Sequence, residues 1–247
     1  MNTRTKEMVD LKYSWYVLFL MTFSFAVSFI DRQVMTLLIE PIKSDLNIND
    51  TQVSLLIGFA FSIFYISMAI PIARLVDKGN RINIIALGVF FWSLMTGVCG
   101  LAKNYWQLFL ARVGVGVGEA TLTPAVYSLI PDYFPKEKLG TAVGFYMLGM
   151  SLGTGFALVL GGAILSYVSS IGDITFLFIG TLRPWQVTFL IVGLPGILLA
   201  ILIKLSVKEP VRRDIFDNID ATPSNVLLIP FLKQNFKTLL CITVAYS

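Results

Sequence analysis

The stretch ARLVDKGNR, Ala73–Arg81, lies between two apolar segments that are each long enough to cross a membrane. Gly79 is typical of a residue that ends a helix. Asp77 would be unfavourable at the negative C-terminal end of its own helix, so it needs a cation or the N-terminus of another helix. The stretch therefore predicts a tight turn between two membrane helices, although an ordinary solvated loop has the same composition.

The composition of the whole chain agrees with a membrane protein. The chain has 247 residues, of which 56% are hydrophobic and 14% charged, and its mean hydropathy is +0.77. A soluble domain needs a more polar surface than this balance allows. We predict these membrane spans, each of about 17–28 residues: Ser14–Ile30, Val53–Ile72, Ile82–Ala102, Trp106–Ile130, Thr141–Val168 and Trp185–Leu205.

The residues that are rare or missing exclude several functions. The sequence contains no histidine, and Cys99 and Cys241 both lie in apolar runs. Histidine-based catalysis, most metal sites and a disulfide framework are therefore not supported. The motif GVGVG follows no strand and lies inside a span, so it does not indicate a nucleotide site. We expect no enzyme, metal, cofactor or nucleic-acid partner.

Lysine and arginine are concentrated in alternate loops, which predicts a cytoplasmic N-terminus. We divide the chain into a cytoplasmic segment 1–12, a membrane bundle 13–207, a cytoplasmic linker 208–235 and the start of a seventh helix at 236–247. Because a half-span leaves backbone groups unpaired in lipid, we expect this chain to be part of a longer protein. The expected location is a bacterial inner membrane, with many passes.

Polar residues form stripes on two of the spans. In span one, Ser24, Ser28 and Asp31 share a helix face, and Arg32 follows directly. In span four, three polar residues at positions i, i+7 and i+11 share a face, and we expect both faces to line one wet cavity. These three residues are Arg112, Glu119 and Thr123. An interfacial helix end at Asp31 and a purely structural Arg112–Glu119 pair are the alternatives.

Small residues recur at helical spacing in spans four and five. Gly114 and Gly118 are four residues apart, as are Gly149 and Gly153. This spacing permits close approach of two membrane helices. We interpret these glycines as helix-packing positions, and flexing during a conformational change is the alternative.

These motifs together resemble the major facilitator superfamily. ARLVDKGNR resembles its loop between helices two and three, RVGVG (Arg112–Gly116) its fourth-helix motif, and DYFP (Asp132–Pro135) the segment before helix five. The stretches FIDRQVMTLLIEPIKSDL and WSLMTGVCGLAKNYWQLFLARVGVGVGEA resemble the Spinster-like branch. This chain departs from the branch after GEA, where it reads TLTPAVYS with Pro124 alone.

The resemblance implies an all-α integral membrane fold with a six-helix N-terminal bundle built from 3+3 inverted repeats, truncated in helix seven. It implies a secondary active transporter that works by alternating access, with protons as partners and a lysophospholipid-like or sphingoid-phosphate-like substrate. Asp31, Arg32, Arg112 and Glu119 would then couple and gate, and Ser24, Ser28 and Thr123 would line the substrate cavity. Asp77 and Arg81 would latch this half to the missing C-terminal bundle.

Two alternatives remain open at this point. A carrier of sugar acids or other organic anions would need a more polar cavity than the sparse polar stripes provide. A half-length membrane protein that transports nothing is compatible with the length of the chain.

Overall fold

The protein is described by a computed structural model that covers residues 10–176 and 180–212. The α-helices are α1 (Leu11–Leu37), α2 (Ile39–Leu46), α3 (Asp50–Ser54), α4 (Ala60–Lys78), α5 (Arg81–Cys99), α6 (Tyr105–Glu119), α7 (Leu122–Tyr133), α8 (Leu139–Phe156), α9 (Gly162–Ile171) and α10 (Pro184–Ser206). The remaining elements are π-helical segments at Leu55–Phe59 and Ala157–Gly161, a 3₁₀ turn at Lys136–Lys138 and strands β1 (Ile174–Phe176) and β2 (Gly180–Leu182).

These helices form six stretches that are long and apolar enough to cross a membrane, as the sequence predicted. The spans are Leu11–Leu37, Asp50–Lys78, Arg81–Cys99, Tyr105–Tyr133, Lys136–Ile171 and Pro184–Ser206. Most are longer than predicted because polar residues at their ends still adopt helical geometry. The predicted start of a seventh helix, 236–247, and most of the predicted linker lie outside the described residues.

The packing of the spans follows a two-fold pattern. Span one packs mainly against span five, span two against span four, and span three against span six. A two-fold axis would exchange span one with span four, span two with span five and span three with span six. This exchange turns the pair of spans one and five into the pair of spans four and two, and it maps the pair of spans three and six onto itself. The bundle therefore has the 3+3 inverted-repeat architecture expected from the sequence.

Span four is broken in the middle, which the sequence analysis did not foresee. Helix α6 ends at Glu119, and α7 begins at Leu122. Pro124 has no N–H group to bond to the carbonyl of Ala120, so the helical hydrogen bonds cannot continue through this point. Glu119 is consequently the last residue of α6, while Thr123 belongs to the next helix.

Spans two and five each contain a π-helical turn, at Leu55–Phe59 and Ala157–Gly161. These spans correspond to each other in the two repeats. A π-helical turn inserts one extra residue per turn and so rotates the side chains on either side of it. In span two, this turn lies directly before Ala60 and Phe61, and it sets the direction in which the Phe61 ring points.

The loops contain elements that were absent from the sequence prediction. Short helix α2 follows span one and ends at Asn47, which has a left-handed backbone with φ of 50°. Strands β1 and β2 pair antiparallel between spans five and six. The indole Nε1 of Trp185 donates to Asp45 Oδ2 at 2.9 Å, which ties the start of span six to α2.

The glycines of spans four and five lie where helices approach closely. A Cβ on Gly118 would be 2.8 Å from the backbone nitrogen of Trp92, and one on Gly114 would be 2.7 Å from Met95 Cγ. A Cβ on Gly149 or Gly153 would lie 2.6 or 2.4 Å from a carbonyl oxygen of span one. A larger side chain at any of these positions would force two spans apart.

Candidate functional site

The polar stripe of span one is buried within the bundle. Helix α1 continues to Leu37, so Asp31 and Arg32 lie within the helix rather than at its end. Ser24, Ser28 and Asp31 are all at most 2% exposed. The hydroxyl of Ser24 donates to the carbonyl of Leu20 at 2.8 Å, within its own helix.

Glu119 of span four joins this stripe through one of its oxygens. Its Oε2 accepts hydrogen bonds from Ser28 Oγ at 2.8 Å and from Arg32 Nε at 2.6 Å. The Nη2 of Arg32 lies 2.5 Å from the same oxygen. Among the described residues, Glu119 Oε1 is buried without a hydrogen-bond partner. Only one of the two carboxylate oxygens of Glu119 therefore takes part in the ion pair.

Asp31 and Arg112 are buried close by but are less well satisfied. Asp31 Oδ2 accepts from Thr96 Oγ1 of span three at 3.3 Å. Within the described part of the chain, Asp31 Oδ1 and the Nε and Nη1 atoms of Arg112 have no hydrogen-bond partner. Arg112 interacts electrostatically with both Asp31 and Glu119. The four charged residues expected from the two stripes therefore lie together.

Thr123 belongs to α7, which begins after the interruption in span four. The sequence analysis placed it on the face of Arg112 and Glu119 by assuming one continuous helix. Pro124 interrupts the helical hydrogen bonds between Glu119 and Thr123, and Thr123 lies near Tyr146 of span five. The role of Thr123 as a cavity residue stays a prediction.

Aromatic rings surround the Arg32 guanidinium, and the sequence analysis missed them. Its carbon Cζ lies 4.5 Å from the ring centre of Phe61, 4.9 Å from Phe29 and 5.2 Å from Tyr65. Arg112 Cζ lies 5.7 Å from the Phe61 ring. Phenylalanine in an apolar span gives no sequence signal of this role, whereas the polar Thr96 in span three could have been noticed.

A second charged cluster lies at the opposite end of span three. Arg81 is 1% exposed; its Nε donates to Glu209 Oε1 at 2.6 Å, and its Nη1 forms an ion pair with Asp132. The same nitrogen donates to the Ser128 carbonyl at 2.8 Å, and Nη2 donates to the Pro210 carbonyl at 3.3 Å. These partners of Arg81 all belong to this half of the fold, and its predicted latch role stays a prediction.

Asp77, the other predicted latch residue, is exposed at the end of span two. Tyrosine hydroxyls fix the chain that follows span six. Tyr13 donates to the Ser206 carbonyl at 3.1 Å and accepts from the Lys208 N–H at 2.8 Å, and Tyr133 donates to the Lys208 carbonyl at 2.5 Å. The latch role of Asp77 stays a prediction.

Comparison with known families matches residues 21–247 to the Major Facilitator Superfamily. The chain belongs to the Major Facilitator Superfamily. The superfamily resemblance inferred from the sequence is therefore confirmed. Members of this family are transporters rather than enzymes, in agreement with the expectation for this chain.

Three similar proteins refine this assignment. An MFS-type efflux pump of Mycolicibacterium smegmatis is 32% identical over 73% of this chain and 39% of its own length. A probable L-galactonate transporter of Escherichia coli is 29% identical over 74% of this chain and 37% of its own length. The third is a bacterial homologue of the human lysosomal transporter Spinster, whose crystal structure is inward-facing and unoccupied. Its sequence is 40% identical to this chain, and the two structures superpose with a TM-score of 0.75. The match covers 85% of this chain and 46% of that one.

The structural match confirms the predicted similarity to the Spinster-like branch. The chain spans less than half the length of each of these relatives. It corresponds to the N-terminal six-helix half of the superfamily fold.

Proposed function

We propose that the full-length protein is a proton-coupled secondary active transporter that works by alternating access. The observation that carries this proposal is the ion pair between the half-buried Arg32 and the buried Glu119, which lies beside the incompletely bonded Asp31 and Arg112. On insertion scales, a charged residue at mid-membrane costs about 2.5–3.5 kcal/mol. Such groups persist mainly where they face a cavity, a partner or a transported ion.

The hydrogen bonds of each charged side chain indicate its role in the proposed coupling. Glu119 is held by Arg32 and Ser28, whereas Asp31 has a single hydrogen bond from Thr96. Either carboxylate can take up a proton, and neutralising Glu119 would release Arg32. We assign Asp31 and Glu119 to proton binding and the two arginines to their charge compensation.

For the substrate, we propose an amphiphilic, lipid-like molecule with an anionic headgroup, of the lysophospholipid or sphingoid-phosphate type. Arg112 offers unused donors to an anion, and the rings around Arg32 are apolar. Ser24, Ser28 and Thr123 would lie along the cavity wall. A carrier of organic anions such as sugar acids is the second candidate, because one similar protein is a probable L-galactonate transporter.

Transport by the full-length protein in lipid vesicles under an imposed pH gradient tests the coupling. We expect Glu119→Gln and Asp31→Asn to abolish uptake driven by the gradient while the protein remains folded. Glu40→Gln, which changes an exposed carboxylate on α2, is the matched control and should transport normally. Gradient-driven uptake at the wild-type rate in either cavity variant would refute the assignment.

The substrate and the half-length alternative need separate tests. Counterflow of a labelled lysophospholipid, competed by unlabelled lysophospholipid or by galactonate, distinguishes the two substrate classes.

The mass of the polypeptide in its own membrane determines whether a second bundle accompanies this one. Reagents applied from one side of an inner-membrane vesicle would test the proposed cytoplasmic location of the N-terminus and of Asp77.

A further inference from the structure

The aromatic ring of Phe61 lies close to the guanidinium groups of both Arg32 and Arg112. The ring centre of Phe61 is 4.5 Å from Arg32 Cζ and 5.7 Å from Arg112 Cζ. Both distances are within the range of about 6 Å in which a ring attracts a cation. Phe61 is 7% exposed, so little water weakens this attraction.

The backbone around Phe61 is built to hold the ring there. A Cβ on Gly116 would lie 2.7 Å from the carbonyl oxygen of Phe61, so only glycine lets span two approach span four this closely. The π-helical turn Leu55–Phe59 immediately precedes this point and sets the rotation of the helix. The ring also stacks on Tyr65, with centres 5.5 Å apart.

The bonding of the cluster leaves room for an exchange of partners. Glu119 uses Oε2 for Arg32, while its Oε1 and the Nε and Nη1 of Arg112 have no hydrogen-bond partner among the described residues. A second pairing, between Glu119 and Arg112, is therefore available to the same carboxylate. Something must favour Arg32 over Arg112 in the state observed.

We propose that Phe61 is the positioning residue that selects this pairing, by holding the Arg32 guanidinium against Glu119 through its ring face. Arg32 is closer to the ring than Arg112 is, and Phe29 and Tyr65 add to the attraction on Arg32 alone. Phe61 acts through Arg32 and does not itself bind a proton. This inference rests on the proposed coupling role of the Arg32–Glu119 pair.

The test replaces Phe61 in the full-length protein with phenylalanines that carry one, two or three ring fluorines. Fluorine withdraws electron density from the ring face and hardly changes the shape of the side chain, so it weakens the attraction for a cation selectively. The readout is the rate at which a hydrophobic carbodiimide labels Glu119, measured by mass spectrometry of the peptide. A carboxylate held by an arginine is protected from this reagent.

We expect the labelling rate of Glu119 to rise stepwise with fluorination, by about 2- to 5-fold at three fluorines. Phe61→Leu should raise it further. The matched control is the same fluorinated series at Phe189, a fully buried ring of span six that faces Trp185. No change is expected in that series.

A labelling rate that stays constant or falls across the Phe61 series overturns the inference, even if Phe61→Leu fails to fold. Labelling does not depend on transport, so the two proposals can fail separately. Gradient-driven uptake together with a constant series would reject only the role of Phe61. A rising series without proton-coupled uptake would reject the proposed function and retain the positioning of Arg32.

Discussion

Two arginines of this bundle are almost equally buried, yet their surroundings are opposite. Arg81 is 1% and Arg112 2% exposed. Arg81 contacts two carboxylates and two backbone carbonyls, whereas two nitrogens of Arg112 have no hydrogen-bond partner in the described part of the chain. A fully bonded buried charge fixes a structure, while an incompletely bonded one remains available to a new partner.

The largest effect is expected from Arg81→Met. Removing this guanidinium takes away the ion pairs with Asp132 and Glu209 and leaves the Ile82 N–H as the donor from span three to Glu209, which should cost about 3–5 kcal/mol of stability. Thermal unfolding of the detergent-purified protein measures the loss, and Arg74→Met at an exposed position of α4 is the control. Equal midpoints for the two variants would show that the Arg81 cluster does not hold the fold.

Next in size is the effect of Gly118→Ala. The new methyl group would lie 2.8 Å from the backbone nitrogen of Trp92, so spans three and four must move apart at a cost of about 1–3 kcal/mol. Gly144→Ala adds the same methyl group where no atom lies within 4 Å, and it should be neutral or slightly stabilising. Equal thermal stability of the two variants would contradict the packing role of Gly118.

Tyr13→Phe should have a smaller effect on the Arg81 side of the molecule. The change removes the hydroxyl that joins Ser206 and Lys208, and the loss of such bonds costs about 0.5–1.5 kcal/mol each. Tyr16→Phe removes one exposed hydrogen bond to Ser206 Oγ and serves as the control. A larger loss of thermal stability in the control would contradict this ranking.

Arg112→Met sharpens the comparison, because it should cost far less than Arg81→Met. Its missing bonds mean that little is lost on removal, and methionine fills the space, so we expect a change of about 1 kcal/mol or less. Transport by the same variant should nevertheless be lost. A stability loss as large as that of Arg81→Met would show that Arg112 is a structural residue.

The smallest effect is expected at Lys43, which forms an exposed ion pair with Asp50. The hydrogen bond that Lys43 donates to the Asp50 carboxylate raises the pKa of Lys43 above its usual value. Any stabilisation is therefore present at neutral pH and is lost as the pH rises above the ordinary lysine value of about 10.5. We expect Lys43→Gln to leave the thermal midpoint at pH 7 unchanged, and a clear shift would contradict this.

The sequence predicted the parts of the site that repeat along one helix. Ser28 and Asp31 share a face because their spacing is helical, and Arg112 and Glu119 do so within α6. For Thr123, Pro124 interrupts the hydrogen bonds between the two helices of span four, and its place on the same face stays a prediction.

By itself the sequence determined the six spans, the helix end at Gly79 and the polar faces within α1 and α6, since length, hydropathy and helical spacing are local properties of the chain. Only the tertiary structure decided that Arg81 binds Glu209, 128 positions away, and that Phe61 lies between two arginines of other spans. The reason is that helix packing joins residues whose separation along the chain carries no periodic signal. Which buried charges are fully bonded is therefore decided by the packing of the spans.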